Sequence, residues 1–222
     1  MNAGFSFASF AEFLGDRWSD ILDLTAQHLA VVLISLIVAM AVGVVIGVAV
    51  WNRPVSRATA LTAAGIAITI PSLALLALLS PLLGLGWGPT IVALVFYSLL
   101  PIIRNTVVGL REVPAEVVES ARGMGMGRGR IMITTQLPIA WPVIVTGVRV
   151  AAQLTIGIAA IAAYVAGPGL GQYIFKGLSS IGSKNAINYA VAGTVAIIVL
   201  ALLVDGAFIL ISRHTTSRGL RA

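Results

Sequence analysis

The chain has 222 residues, 59% of them hydrophobic and 10% charged, with a net charge of +6. A soluble domain carries about a quarter charged residues, so this composition belongs in a bilayer. No cysteine is present, which excludes disulfides, a thiolate nucleophile and cysteine-ligated metal. The basic residues lie beside the hydrophobic runs rather than on one soluble face, which argues against nucleic acid as a partner.

In chain order, residues 1–26 form a segment in which Phe10, Phe13, Leu14, Trp18, Ile21 and Leu22 recur at helical spacing opposite Glu12, Asp16, Asp20 and Asp23. This pattern predicts an amphipathic helix on the outer membrane surface, either anchoring the first span or meeting an external partner. The start lacks the basic residues and small-residue cleavage site of a signal peptide.

A bilayer core takes roughly 20 apolar residues per helix. By that measure spans are expected over His28–Val50, Ala58–Leu83, Thr90–Leu110, Pro142–Ala166 and Ala186–Ile211. The fold class expected is therefore an all-α membrane protein of about five transmembrane helices, read as a single transmembrane domain over 1–222. The turn Gly84-Leu85-Gly86-Trp87-Gly88-Pro89 separates the second span from the third. Gly43 and Gly47 form a small-xxx-small pair that lets a neighbouring helix approach.

Arginine placement sets the expected orientation. With the N-terminus outside, the inner segments hold nine cations: Arg53, Arg57, Arg111, Arg122, Arg128, Arg130, Arg213, Arg218 and Arg221. The outer ones hold Arg17, Lys176 and Lys184. The insert 111–136 and the basic tail 212–222 are then cytoplasmic, and 167–185 is an outer loop.

The insert is the most informative stretch. Pro114 suits the first turn of a helix, and Glu116 and Glu119 fall near its N-terminus, where carboxylates complement the dipole. Gly123, Gly125, Gly127 and Gly129 make one long helix unfavourable at about 1 kcal/mol each. A short helix, a glycine turn and a second short helix from Arg128 toward Gln136 are expected, with Pro138 and Pro142 restarting the chain into the fourth span.

Glu119-Ser120-Ala121, three residues, Gly125, then Leu137-Pro138 resembles the EAA loop of ABC importer permeases. The family pattern is Glu-Ala-Ala, three residues, Gly, nine residues, Ile, one residue, Leu-Pro; here Ser120 and Thr135 depart from it. The resemblance implies the type I ABC importer permease fold and a coupling helix seated in a groove of the ATP-binding subunit. It assigns the contact to Glu119, Ser120, Ala121 and Gly125, with Arg122 and Met126 beside them. Thr69-Ile70-Pro71-Ser72-Leu73-Ala74-Leu75-Leu76, Leu100-Pro101-Ile102-Ile103-Arg104-Asn105-Thr106, Ala121-Arg122-Gly123-Met124-Gly125-Met126 and Gly167-Pro168-Gly169-Leu170-Gly171 are similar to the osmoprotectant branch of that family, whose solutes include glycine betaine, carnitine, choline and proline.

That resemblance implies partners: cytoplasmic ABC ATP-binding subunits, an external solute-binding protein, a second permease chain as homo- or heterodimer, and membrane lipid. No cofactor and no metal are expected. The chain is not expected to be an enzyme by itself, because Gly177-Leu178-Ser179-Ser180-Ile181-Gly182-Ser183-Lys184 inverts the Lys-Ser of a phosphate-binding loop. The rival readings are a permease for an amino acid or sulfonate, and a channel or scaffold whose basic insert meets anionic lipid; Glu112, Glu116 and Glu119 weigh against the last.

Ionisable residues inside spans are functional candidates. Arg104, Arg149 and Asp205 all fall roughly 10 Å inside the cytoplasmic boundary, counting 1.5 Å per residue, and Asp205 is expected to pair with Arg149 or Arg104. Pro71 and Pro101 are expected as mid-span kinks. With Tyr97 and Tyr164, whose ring faces attract quaternary ammonium, they are the candidate path or gate residues.

Overall fold

The computed structural model describes residues 6–215; Arg218 and Arg221 of the basic tail lie outside the described residues. The helices are α1 (Phe7–Asp16), α2 (Trp18–Val50), α3 (Pro54–Thr69), α4 (Ser72–Leu83), α5 (Trp87–Arg111), α6 (Ala115–Gly123), α7 (Arg128–Ile131), α8 (Leu137–Ala162), α9 (Gly171–Ser179) and α10 (Ala186–Thr215). A π turn, Met132–Gln136, joins α7 to α8, and a 3-10 turn, Ala163–Val165, follows α8. Among the described residues there is no strand. Four helical stretches among the described residues are long and apolar enough to cross a membrane, Trp18–Val50, Trp87–Arg111, Arg128–Val165 and Ala186–Thr215, and the bent pair α3 and α4 makes a fifth if counted as one span.

Several boundaries differ from the sequence reading, each for a local reason. The amphipathic segment is two helices: the chain leaves helical geometry at Arg17 (φ −119°, ψ 15°), and Trp18, Ile21 and Leu22 belong to α2. Its apolar face is also not simply laid on a membrane surface, because Phe13 and Ile21 are buried against protein. The second expected span is interrupted rather than kinked. α3 stops at Thr69 and α4 starts at Ser72, with Pro71 at the extended N-cap (φ −58°, ψ 132°). Proline drives its predecessor out of helical geometry and donates no N–H.

Pro138 and Pro142 do not restart the chain. α7, the π turn and α8 run on without a loop. The proline ring at 138 would strike the carbonyl four residues back, at Thr134, in an α-helix; the wider π turn immediately before it relieves that clash. Pro114 sits one position before the first helical residue rather than within the first turn.

The chain divides into two compact units. The first takes the described residues within Met1–Leu36, Ile70–Val95 and Gln153–Val204. Its core gathers Phe13, Ile21, Leu170, Tyr173, Tyr189, Ala192 and Leu200. The Tyr189 ring meets Phe13 and Tyr173 edge-on at centroid distances of 4.8 and 5.0 Å, a favoured aromatic geometry. The Lys176 ammonium lies 4.4 Å from the Tyr189 centroid.

The second unit takes the described residues within Ile37–Thr69, Phe96–Ala152 and Asp205–Ala222. One core cluster sets Ala64, Ile103 and Val107 against Ile46, Val50 and Leu61; another sets Leu110, Ala140 and Ile144 against Val44, Val48 and Met132. Without a hydrophobic drive between helices in lipid, close packing holds them. Gly43 and Gly47 of α2 supply it: a Cβ at Gly43 would come 2.7 Å from Ile102 Cγ2, and one at Gly47 2.6 Å from Thr106 Cβ. Between α5 and α8, a Cβ at Gly147 would meet the Pro101 carbonyl oxygen at 2.7 Å.

Candidate functional site: a capped helical knob and an intramembrane ion pair

In the insert, α6 ends through a specific backbone device. Gly125 takes φ +79°, the left-handed region that glycine occupies without steric cost. Across it, the Met126 N–H donates to the Ala121 carbonyl (3.2 Å) and the Gly125 N–H to the Arg122 carbonyl (2.9 Å). These six-to-one and five-to-two bonds make a Schellman cap, which satisfies carbonyls that a helix end leaves orphaned. The spacing Ala-x-x-x-Gly thus has a mechanical meaning: the alanine supplies the accepting carbonyl and the glycine the reversal four residues later.

The rest of the knob follows from that cap. Ala121 is buried (3% exposed), while Glu119, Ser120, Arg122 and Gly125 are exposed and Met126 is half-buried. The Ser120 hydroxyl donates to the Glu116 carbonyl (2.8 Å), so the serine standing for alanine stays helical. Met124, quoted in the motif but assigned no contact, is 70% exposed at the turn. Its signal was an apolar side chain between two glycines in a polar loop.

Of the three intramembrane charges, the structure brings two together. Arg149 Nε donates to Asp205 Oδ1 at 2.6 Å and Nη2 to Oδ2 at 2.7 Å, tying α8 to α10. This is the two-pronged guanidinium–carboxylate geometry that gives both strength and orientation. Arg104 is exposed on α5 and makes no ion pair among the described residues.

The path candidates are dispersed. Pro71 is exposed at the α3–α4 break. Tyr97 and Pro101 are buried on α5, and the Asn105 amide donates to the Pro101 carbonyl at 2.8 Å. Tyr164 is 63% exposed, with its ring 5.8 Å from that of Phe175. Among the described residues no group of three His, Cys, Asp or Glu is placed to hold a metal ion.

Sequence reasoning also missed His28, which is fully buried. Its Nε2 lies 3.1 Å from the Ile156 carbonyl, an acceptor only, so Nε2 carries the proton. Nδ1 has no hydrogen-bond partner among the described residues and lies 2.8 Å from where a Cβ on Gly169 (φ +106°) would fall. A lone histidine in an apolar run gave no sign of this.

Among the described residues, several helices long and apolar enough to cross a membrane, joined by a polar insert with a capped helix, are the layout of a multi-pass membrane subunit. Residues 39–217 match the family of binding-protein-dependent transport system inner membrane components. The chain belongs to that family and is a multi-pass inner-membrane permease subunit. It is 37% identical over 210 residues to the choline transport system permease protein OpuBB of Bacillus subtilis, covering 95% of each chain. It is 36% identical to the glycine betaine/carnitine/choline transport system permease protein OpuCB of the same organism (94% of each). With the osmoprotectant import permease protein OsmY of Salmonella typhimurium it shares 36% identity over 87% of this chain and 81% of that one. A chain from inward-facing structures of the MetNI methionine ABC transporter superposes with a TM-score of 0.76 at 24% identity, covering 89% of this chain and 96% of that chain. The fold is that of a type I ABC importer permease, and membership implies an ATPase and a substrate-binding protein as partners.

Proposed function

We propose that the chain, acting as one transmembrane domain, is the permease of an ATP-driven importer for osmoprotectants of the quaternary-ammonium type, such as glycine betaine, choline or carnitine. The observation that carries this reading is the match along nearly its whole length to permeases named for those solutes. Proline is retained as a further candidate solute. The N-terminus lies outside and the C-terminus in the cytoplasm, as the arginine distribution favours. Two permease chains pair, as homo- or heterodimer, because five spans enclose little space alone.

In this proposal Glu119, Ser120, Ala121, Arg122, Gly125 and Met126 form the ATPase-docking knob. Its rigidity comes from the Schellman cap, and Met124 adds an adaptable apolar contact at its tip. ATP-driven approach of two such knobs turns the path outward, and hydrolysis resets it. The exposed Tyr164 ring offers a π face to a passing ammonium. Tyr97 and Pro101, buried on α5, line the path only after that helix moves, and Pro71 lets α4 swing.

The test is uptake of radiolabelled glycine betaine and choline by proteoliposomes holding the permease with its ATP-binding and solute-binding partners. ATP-dependent uptake in the wild type, lost in Gly125→Val and Glu119→Lys while the complex stays assembled, is the expected result. ATPase activity stimulated only by a binding protein loaded with an amino acid or sulfonate would overturn the osmoprotectant assignment.

A further inference from the structure

A cleft of about 360 Å³ lies between the α2–α3 turn and the insert, wholly within the second unit. Its polar lining is Trp51 and Asn52 from the turn, Arg122 from α6, Arg128 from α7 and Gln136 from the π turn. Every one of these side chains can donate hydrogen bonds, and no carboxylate lines the cleft. Among the described residues neither arginine has an ion-pair partner.

Gln136 supplies the second observation. It is only 6% exposed and lines the cleft, yet its carboxamide makes no hydrogen bond among the described residues. Its polar end is not sealed away, since among the described residues only His28 Nδ1 is both buried and unbonded, so the carboxamide is open to the cleft it lines. Two exposed guanidinium groups without ion-pair partners among the described residues and one unbonded carboxamide, all lining one cavity, suit an oxyanion with several acceptor oxygens. The three glutamates that weighed against an anion in the sequence are not in the lining: Glu112 lies in a separate recess with Val108 and Arg111, and Glu116 and Glu119 are exposed elsewhere on or beside α6.

We propose that this cleft binds the phosphate of an anionic phospholipid, tying the insert to the membrane surface. Phosphate is the acceptor-rich anion that forked guanidinium groups fit best. A lipid rather than a free phosphate is favoured by position and by the other wall. The cleft begins at Trp51, immediately after the apolar α2 ends at Val50, and Trp residues mark the membrane–water boundary. Its remaining lining is apolar, Val118 of α6, Ile131 of α7 and Met132 of the π turn, which suits a glycerol backbone. Basic pockets at helix ends recognise such headgroups. The inference rests on the membrane assignment but not on the identity of the transported solute.

The test is native mass spectrometry of the assembled transporter taken from membranes containing phosphatidylglycerol, counting lipid retained through detergent exchange. The Arg122→Gln/Arg128→Gln double variant is expected to lose retention roughly thirtyfold, as removal of two basic contacts predicts. Gln136→Leu is expected to weaken retention with both arginines intact, and Arg53→Gln, a basic residue of the same turn outside the lining, to retain wild-type lipid. Assembly of each variant is checked by size-exclusion chromatography; should the double variant not assemble, Arg128→Lys, which keeps the charge and loses the fork, is read instead. Equal loss in Arg53→Gln overturns the site, as does a complex that retains no lipid because the ATPase fills the cleft. Displacement of the lipid by millimolar inorganic phosphate or glycerol 3-phosphate would show a soluble anion site and overturn the lipid assignment.

Discussion

Arg149 and Asp205, 56 positions apart in sequence, share two hydrogen bonds, 2.6 and 2.7 Å long, between α8 and α10. Both side chains remain partly accessible (38% and 25%), so the pair is not sealed within the core. An unpaired charge at membrane depth costs roughly 2–3 kcal/mol, which is what the partner offsets.

The charge-swap consequence is direct. Asp205→Arg sets two guanidinium groups against each other and is expected to reduce assembled transporter severalfold, as seen by size-exclusion chromatography and uptake. Adding Arg149→Asp restores opposite charges and should recover most of the loss. Recovery with Arg104→Asp instead, or with neither swap, would show that this pair does not hold α8 to α10.

The cap at Gly125 makes a finer prediction than loss of glycine. No atom lies within 4 Å of a Cβ built there, so the obstacle to a side chain is the left-handed backbone and not space. Asparagine tolerates that conformation and valine does not. Gly125→Asn should keep most binding-protein-stimulated ATPase activity, whereas Gly125→Val should lose it at a backbone cost of about 1–2 kcal/mol. Gly123→Ala, inside α6 with open space around it, should be neutral or stabilise by up to ~1 kcal/mol. Equal damage from Asn and Val would mean that the glycine is needed for close approach of the partner and not for the turn.

How far these features were legible depends on the kind of signal. Uninterrupted apolar runs marked the spans because nothing but a bilayer requires them, and the Glu119 to Pro138 spacing marked the knob. What failed were places where one residue has two physical outcomes. Pro71 was read as a kink and instead separates two helices; Pro138 and Pro142 were read as a restart, but a π turn carries the helix into Pro138 and Pro142 sits inside α8. His28 and Gln136 were invisible because their significance lies in a partner over a hundred residues away or in the wall of a cleft. The two candidate partners for Asp205 were equivalent by depth alone, and only the helix packing separates Arg149 from Arg104.

Helix crossings fix which glycines tolerate a methyl group. Gly147→Ala would drive Cβ to 2.6 Å from Asn105 Cβ and 2.7 Å from a backbone oxygen, neither of which can swing away cheaply. Overpacking of this kind costs about 1–3 kcal/mol. Gly65→Ala, with nothing within 4 Å, is the matched control. Thermal unfolding in detergent should place the Gly147 variant clearly below the wild type and the Gly65 variant level with it. Equal midpoints for both would mean that the α5–α8 contact is looser than the structure shows.

Tyr173 supplies a pH prediction with a defined sign. Its hydroxyl sits in the aromatic core of α9, where burial, then the nearby Asp20 carboxylate, push it up from 10.0 to about 12. Asp20 Oδ2 is 3.5 Å from the phenol oxygen, so the neutral phenol donates where a phenolate would be repelled. In the unfolded chain the group loses its proton near pH 10.0, and in the folded chain only near pH 12. Between those values the folded state binds more protons, so stability falls as pH rises. The contribution is fully present below the lower value and is lost progressively through that window. Tyr173→Phe cannot ionise and should flatten this part of the decline while leaving the neutral-pH transition nearly unchanged, apart from the small loss of one long hydrogen bond. Thermal midpoints measured across the window for both proteins decide it, and an identical alkaline slope would show that Tyr173 does not carry the effect.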